Sequence, residues 1–513
     1  MGARSVFALS LFVSACGSNG EEAASGTVRT NRRPNILLIQ WDTVRADRMA
    51  CYGYTKPTTP HLDAMAGEFR LYEDVITPGT WTLPATASIF TGYYPSKHGA
   101  SGYHTWLDDE FVAFPEILKE AGYATYIFSA NAFLSKDHNM VPGFELAEHP
   151  WDEKWTLKVV ELYRRMGLFD DPGSALAGVS PKQINEVRPY MYACGPVANE
   201  AFLGWLRQRD TSKPFCAMLC YMEAHLPRIP PRDMRERVMT PEAQAHGDIF
   251  RLAPATMVAY QFGLEELNEA DLAVISGHYD ATIAQLDRVT HELFESLRAM
   301  ELLDNTVVVL YSDHGENLGE HHLLDHQYTV YRTVTDVPLM IRYPALFPPG
   351  RDSTPVNLID LYPTLLEVAG VKAATPADVQ GHSLLGPQAD RPDYRVSEYP
   401  WPLLANMLAI KVNFRHFDQT PWMRRLRMLE QGDYRYMWAS AGPHELYHRR
   451  NDPAEEHNLI GEKPEVAQRM QATLDTWAQS FKHYKPRSDA KPGATPLSPE
   501  VREALKALGY AED

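Results

Sequence analysis

Cysteine is scarce in this chain, with five in 513 residues. Cys216 and Cys220 lie four apart in an apolar run, 215–221, that reads as a strand, and at that spacing they cannot bridge each other. The expected state of Cys51, Cys194, Cys216 and Cys220 is the buried free thiol, and the sequence leaves open whether any two of them pair. Positive charge is in deficit. Lys and Arg number 49 against 66 Asp and Glu, a formal net charge of −17. Such a surface repels a polyanion, which argues against a nucleic-acid partner and leaves an anionic substrate dependent on a local pocket. No internal repeat and no low-complexity block is present, so a solenoid is not indicated. The apolar stretch near the N-terminus, residues 5–13, is also too short for a membrane span, which takes ~20 residues.

That short stretch reads instead as an address. It follows Met1-Gly2-Ala3-Arg4 and ends Val13-Ser14-Ala15-Cys16, the layout of a secretory signal. Cys16 after small residues resembles a bacterial lipobox, which implies cleavage after residue 15 and lipidation of Cys16. An ordinary signal-peptidase site with a chance cysteine is the alternative. Residues 16–33 are small, polar and charged, as a tether is. The expectation is a protein secreted across the inner membrane and lipid-anchored at the periplasmic face or the outer membrane of a bacterium.

With 44% hydrophobic residues, the chain has enough apolar material for one large domain and a smaller one. Continuous apolar runs at 35–40, 123–128, 215–221, 306–311 and 337–343 read as buried strands. Between them lie helical patterns: 114–121 ended by Gly122, the series Ile283, Leu286, Val289, Leu293, Phe294 and Leu297, and 358–368 ended by Gly370. This alternation predicts an α/β fold of three layers around a mostly parallel sheet. Residues 151–187 and 228–267, rich in charge, proline and aromatics, read as insertions over the active face, candidates for a lid. Beyond about 385 the strands shorten and a helix follows at 465–481, which predicts a small C-terminal α+β subdomain. The expected organisation is a signal at 1–15, a tether at 16–33, a catalytic domain at 34–384, a subdomain at 385–483 and a tail at 484–513.

The chemistry concentrates at strand ends. Asp313-His314 follows the run 306–311, and Asp42 lies just past 35–40. Ligands collect beyond the carboxyl ends of parallel strands, and two carboxylates with an imidazole there suit a metal ion. Glu316, Glu320, His321, His322, Asp325 and His326 follow close behind. The alternative is an acidic solvated loop with incidental histidines. Arg45 and Asp47 are expected to pair with neighbours.

Several motifs bring these residues into a family. They are Thr80-Trp81-Thr82-Leu83-Pro84-Ala85-Thr86, Asp42-Thr43 with Arg45-Ala46-Asp47, Cys51-Tyr52-Gly53-Tyr54, His98-Gly99, Glu223-Ala224-His225-Leu226-Pro227, Ser312-Asp313-His314-Gly315-Glu316, Asp360-Leu361-Tyr362-Pro363-Thr364 and Asp452-Pro453. In this order, over about 34–481, the chain resembles a sulfatase of the alkaline phosphatase superfamily. The resemblance implies a hydrolase of sulfuric or phosphoric esters with an alkaline-phosphatase-like sheet and one divalent metal ion.

Formylglycine sulfatases generate their nucleophile from Cys or Ser in Cys/Ser-x-Pro-x-Arg. Here that place reads Thr82-Leu83-Pro84-Ala85-Thr86. A Thr there resembles the lipoteichoic acid synthase and phosphoethanolamine transferase branches, in which the hydroxyl is both nucleophile and ligand. Metal coordination lowers a hydroxyl pKa enough to make this chemistry work. The alternative is that Thr82 only caps a helix starting near Pro84. The implied ligands are Asp42, Thr82, Asp313 and His314. Mixed oxygen and nitrogen suit Mn2+ or Zn2+, and Ca2+ stays open because related sulfatases use it. One of His225 and His326 is the implied leaving-group acid, and the alternative for His225 is a turn histidine before Pro227. Gln327, at the family's Lys position, Asn131 and Lys97 are the candidates for substrate contact. A Thr ester lacks the second hydroxyl by which a hydrated aldehyde expels sulfate, so phosphate-type esters are expected to be preferred. The expected partner is an anionic ester, glycan- or lipid-linked. The competing readings are a phosphoglycerol- or phosphoethanolamine-type transferase, and a catalytically silent lipoprotein that binds an anionic glycan.

Overall fold

The computed structural model describes residues 33–402, 418 and 420–485. Cys16, the signal, all but the last residue of the tether and all but the first residues of the expected tail lie outside them. The apolar runs fold into an eight-stranded sheet. Its order is Gly350–Asp352, Arg70–Tyr72, Leu339–Arg342, Thr306–Tyr311, Asn35–Trp41, Phe215–Tyr221, Ala124–Ser129 and Leu146–Glu148. Only Leu339–Arg342 runs against the rest. Every residue of the four central parallel strands is buried, so both faces are covered. The covering helices form two groups. One packs around the long helix Glu269–Ala299, the other around Thr82–Thr91, Phe114–Glu120 and Leu361–Val368. The long helix begins at a capping box in which Asn268 accepts from Asp271 N at 3.0 Å and Asp271 accepts from Asn268 N at 3.1 Å.

Register explains why the site forms where it does. Gln40 pairs with Tyr311 on one side and Cys220 on the other, and Cys220 pairs with Ser129. Asp42, Asp313 and Asn131 each lie two residues beyond this common row. Three strands widely separated in sequence therefore present their polar residues at one level of one sheet edge.

The C-terminal elements form a four-stranded antiparallel sheet, Tyr394–Tyr399, Leu426–Gln431, Tyr434–Ala439 and Glu445–His448, in that order. Helix Pro464–Gln479 supplies Met470, Leu474 and Trp477 to a smaller core with Val396, Leu429 and Leu446. A bridge between Gly79 and Glu398 ties this sheet to the loop leading to Thr82. Among the described residues no helix is long and apolar enough to cross a membrane, and Cys51, Cys194, Cys216 and Cys220 are free thiols.

The two insertions differ from the lid expectation. Helix Glu153–Arg165 packs on Gly195–Gln208, and helices Arg232–Val238 and Pro241–Gly247 pack on Glu269–Ala299. A buried ion pair between Arg235 and Asp171 joins the two insertions. Only the ends of the second reach the active face: Arg228 meets Glu316, and Tyr260 lies against His322. Most of this material packs on those helices and thickens the helical layer.

Candidate active site

Thr82 opens helix Thr82–Thr91 as its first residue, with Trp81 in the cap position before it. Its Oγ donates to Asp42 Oδ2 at 3.3 Å, accepts from Asn131 Nδ2 at 3.0 Å and lies 3.4 Å from His314 Nε2. The approach is close because Gly79 lets the preceding loop fold onto the helix: a Cβ there would meet Ala85 N at 2.8 Å. The cap position falls to Trp81, not Thr82, while the helix N-terminus still favours an anion nearby.

Asp42, Asp313 and His314 can converge on one point, with donor atoms all within 4.8 Å of one another. Asp42 Oδ2 accepts from Asn131 Nδ2 at 2.9 Å. Asp42 Oδ1 and both Asp313 oxygens are buried without a hydrogen-bond partner among the described residues. His314 Nδ1 lies 3.0 Å from the Gly315 carbonyl, which fixes the proton there and leaves the Nε2 lone pair facing the carboxylates. Burial, and for Asp42 the neighbouring Asp313, pushes both carboxyls up to about 7. Burial, then the charge of His326, pulls His314 down to about 3. Orphaned, destabilised carboxylates beside a neutral imidazole are what a divalent cation would satisfy, so the residues fit the implied ion.

The two strand-end loops are locked together. Ser312 Oγ accepts from Val44 N at 2.8 Å and donates to His314 O at 2.7 Å. Tyr279, from the long helix, donates to Thr43 O at 2.7 Å and accepts from Arg45 N at 2.8 Å. Arg45 pairs with Asp47 and Glu320, each at 2.7 Å, as the sequence reading expects. Gly315 lets this turn pass Thr333, whose carbonyl would lie 2.1 Å from a Cβ.

A second group flanks the first. His326 sits between two other imidazoles, with ring centroids 4.4 Å from His314 and 5.2 Å from His225. Burial lowers its pKa, but Asp325 at 2.7 Å and Glu316 at 3.6 Å overcome that and hold it well above the ordinary range. Its partner Asp325 is pulled down to about 2 against the effect of burial. His225, pulled down to about 3 by burial and then by His326, is neutral. The flank therefore presents one protonated and one neutral imidazole.

Gln327 is buried beside this pair, accepting from Tyr399 OH at 3.2 Å, and its Nε2 has no partner among the described residues. Lys97 stands apart. Its Nζ donates to Asp378 Oδ2 at 2.6 Å and lies over the Tyr93 ring. Among the described residues no hydrogen bond or ion pair links it to Thr82, Asp42, Asn131 or His314, so the expectation that Lys97 contacts substrate is not supported. Sequence reasoning missed Arg228 and Tyr279. Arg228 directly follows the Glu223–Pro227 motif, a signal that was available. Tyr279 lies mid-helix in a buried pattern, and nothing marks its hydroxyl.

A family model described as Sulfatase matches residues 34–371. A model for the C-terminal part of N-sulphoglucosamine sulphohydrolase matches 319–480. An N-acetylglucosamine-6-O-sulfatase of Bacteroides thetaiotaomicron is 25% identical over 523 residues, covering 88% of this chain and 87% of the relative. A choline-sulfatase of Rhizobium meliloti is 24% identical over 442 residues, covering 84% and 83%. Among solved structures, the phosphonate monoester hydrolase of Agrobacterium radiobacter superposes with a TM-score of 0.67 at 21% identity, covering 88% of this chain and 96% of that one. A protein in complex with its substrate D-glucosamine-2-N,6-O-disulfate gives 0.65 at 19% identity, covering 91% and 100%. These likenesses bear out the α/β fold with its large, mostly parallel sheet.

Proposed function

The chain belongs to the Sulfatase family of ester hydrolases, and from that premise we propose that it hydrolyses an anionic ester with Thr82 Oγ as the nucleophile. The observation that carries this is the position of Thr82, whose hydroxyl lies among Asp42, Asn131 and His314 at the first residue of its helix. Asp42, Asp313, His314 and Thr82 would hold the divalent cation. When bound, such an ion lowers the pKa of a coordinated oxygen and offsets the charge of the ester. The protein groups do the rest. Asn131 orients the Thr82 hydroxyl, which is aimed at Asp42 Oδ2, the atom that would take its proton. The bond from Oγ to sulfur or phosphorus forms as the bond to the leaving oxygen breaks. His326, held protonated by Asp325 and Glu316, supplies the proton to that oxygen. Water then attacks the central atom, losing its proton to His326, as the bond to Thr82 Oγ breaks and Asp42 Oδ2 returns the proton to Thr82.

A sulfate ester is the substrate class the curated relatives support, carried by a sugar for the N-acetylglucosamine-6-O-sulfatase and by choline for the choline-sulfatase. A phosphate-type ester is the second reading, and Thr82 itself favours it, because a Thr adduct has no second hydroxyl with which to expel sulfate. Matched aryl sulfate, phosphate monoester, phosphodiester and phosphonate substrates decide between them. A metal-loaded protein that turns over none of the four would favour the silent glycan-binding reading.

A further inference from the structure

A pocket of about 240 Å3 lies between the loop after helix Pro95–His98 and the exit of strand Tyr394–Tyr399, with Ser101, Tyr103, His104, Trp401, Arg425 and Tyr484 in its walls. We propose that it binds an anionic sugar unit next to the one carrying the scissile ester, with Tyr103 and Trp401 as the stacking platform and Arg425 as the contact to the anion. The proposal rests on the ester-hydrolase reading and extends it to an oligosaccharide substrate.

Three observations support it. Tyr103 is 52% exposed, so its ring is available although it stands edge-on to Trp401 at 4.9 Å. A large aromatic side chain held open at a concave site offers its faces to the CH groups of a pyranose. Arg425 lies over Trp401 with its guanidinium 5.3 Å from the ring centroid, and among the described residues it forms no ion pair with a carboxylate. Its neighbour Arg427 differs, being neutralised by Glu398 at 2.9 Å. A guanidinium without a paired carboxylate can receive an anion even on a chain of net charge −17, and its planar donor fork matches sulfate or carboxylate oxygens. The volume lies below the roughly 300–1,000 Å3 of drug-sized sites, as one ring-sized unit requires.

The third observation is connection to the active site through both walls. Tyr399, two residues before Trp401, bonds Gln327 beside His326. On the other side, Leu107 N donates to His138 O at 3.2 Å, and His138 Nδ1 bonds Thr105 O at 2.5 Å. These bonds fasten the Tyr103 loop to the segment that starts at Asn131. Phe133 of that segment packs on Trp81, the residue before Thr82, at 5.4 Å. A saccharide whose ester lies at Thr82 thus has a rigid, aromatic, cationic neighbour site.

The test uses the full chain loaded with metal. Binding of a heparin-derived sulfated tetrasaccharide is measured by titration calorimetry, with maltotetraose as the neutral control, for wild type, Tyr103→Ala, Trp401→Ala, Trp401→Phe and Arg425→Ala. Turnover of a small aryl ester is followed in parallel. The expected result is at least tenfold weaker binding of the sulfated probe by Trp401→Ala and Arg425→Ala, near wild-type binding by Trp401→Phe, and small-ester turnover unchanged throughout. Wild-type protein that does not bind the sulfated probe, or variants that bind it as well as wild type does, would overturn the proposal. Loss of small-ester turnover in wild type would instead count against the hydrolase reading, and the binding data would still decide on the pocket.

Discussion

Asp42 Oδ1 and the two oxygens of Asp313 are buried without a full hydrogen-bond partner among the described residues, an arrangement that costs several kcal/mol per charge unless a cation is present. Protein purified without chelator is therefore expected to carry about one divalent metal per chain by elemental analysis, and Asp313→Ala to carry none. Adding Mn2+, Zn2+ or Ca2+ to stripped protein at a hundredfold excess over Kd should stabilise it by about 2.7 kcal/mol, read as a rise in Tm. Metal-free wild type with no such rise contradicts the assignment. These ligands are legible in the sequence because Asp42 and Asp313 each stand just past a continuous apolar run, where a carboxylate adds nothing to the strand and can serve a cation. Thr82 is legible only through its motif, since a Thr before Leu-Pro is also an ordinary helix start. Lys97 is close to Thr82 in sequence, but its ammonium pairs with Asp378 over the Tyr93 ring, a pairing the sequence does not show.

Strand Phe215–Tyr221 ends two residues before Glu223, which caps helix Gly195–Gln208 by accepting from Gly195 N at 2.7 Å. The carboxyl is fully buried, and burial pushes it up from 4.5 to about 7. Because the folded-state value is raised, this group's contribution is fully present below about pH 4.5 and is lost as pH rises through about 7. Glu223→Gln keeps the acceptor and removes the titration. In metal-saturated protein, the stability difference between variant and wild type should shift in the variant's favour by on the order of 3 kcal/mol across that window. Denaturant titrations at several pH values check it, and parallel pH profiles for the two proteins would refute it. Elements are the most readable level of this chain. Strands such as 306–311 and 215–221 are β-branched or apolar throughout, and helix ends coincide with Gly122 and Gly370, both at positive φ. The insertions are harder to read because charge and proline look alike in a lid and in a helical layer, and the sequence does not show that Arg235 and Asp171 are paired.

The whole molecule combines a sheet edge built by register with a C-terminal sheet fastened to the loop before Thr82. That convergence is only partly legible, because it depends on which strands are neighbours, and the row Gln40, Tyr311, Cys220 and Ser129 becomes visible only with the pairing. Attachment to a membrane rests on the sequence around Cys16. We propose that Cys16→Ser releases the protein from the membrane fraction of its bacterial host, and a variant that stays membrane-bound would reject the lipobox. The central claim concerns turnover by the intact, metal-loaded protein. Its most direct test is kcat/KM on matched aryl sulfate, phosphate, phosphodiester and phosphonate for wild type, Thr82→Ser and Thr82→Ala. The account predicts turnover of at least one of these esters, retained in part by Thr82→Ser and reduced by a factor of at least roughly 10³, or ~4 kcal/mol of transition-state stabilisation, in Thr82→Ala. Thr82→Ala that binds metal and hydrolyses the preferred ester as fast as wild type would contradict it.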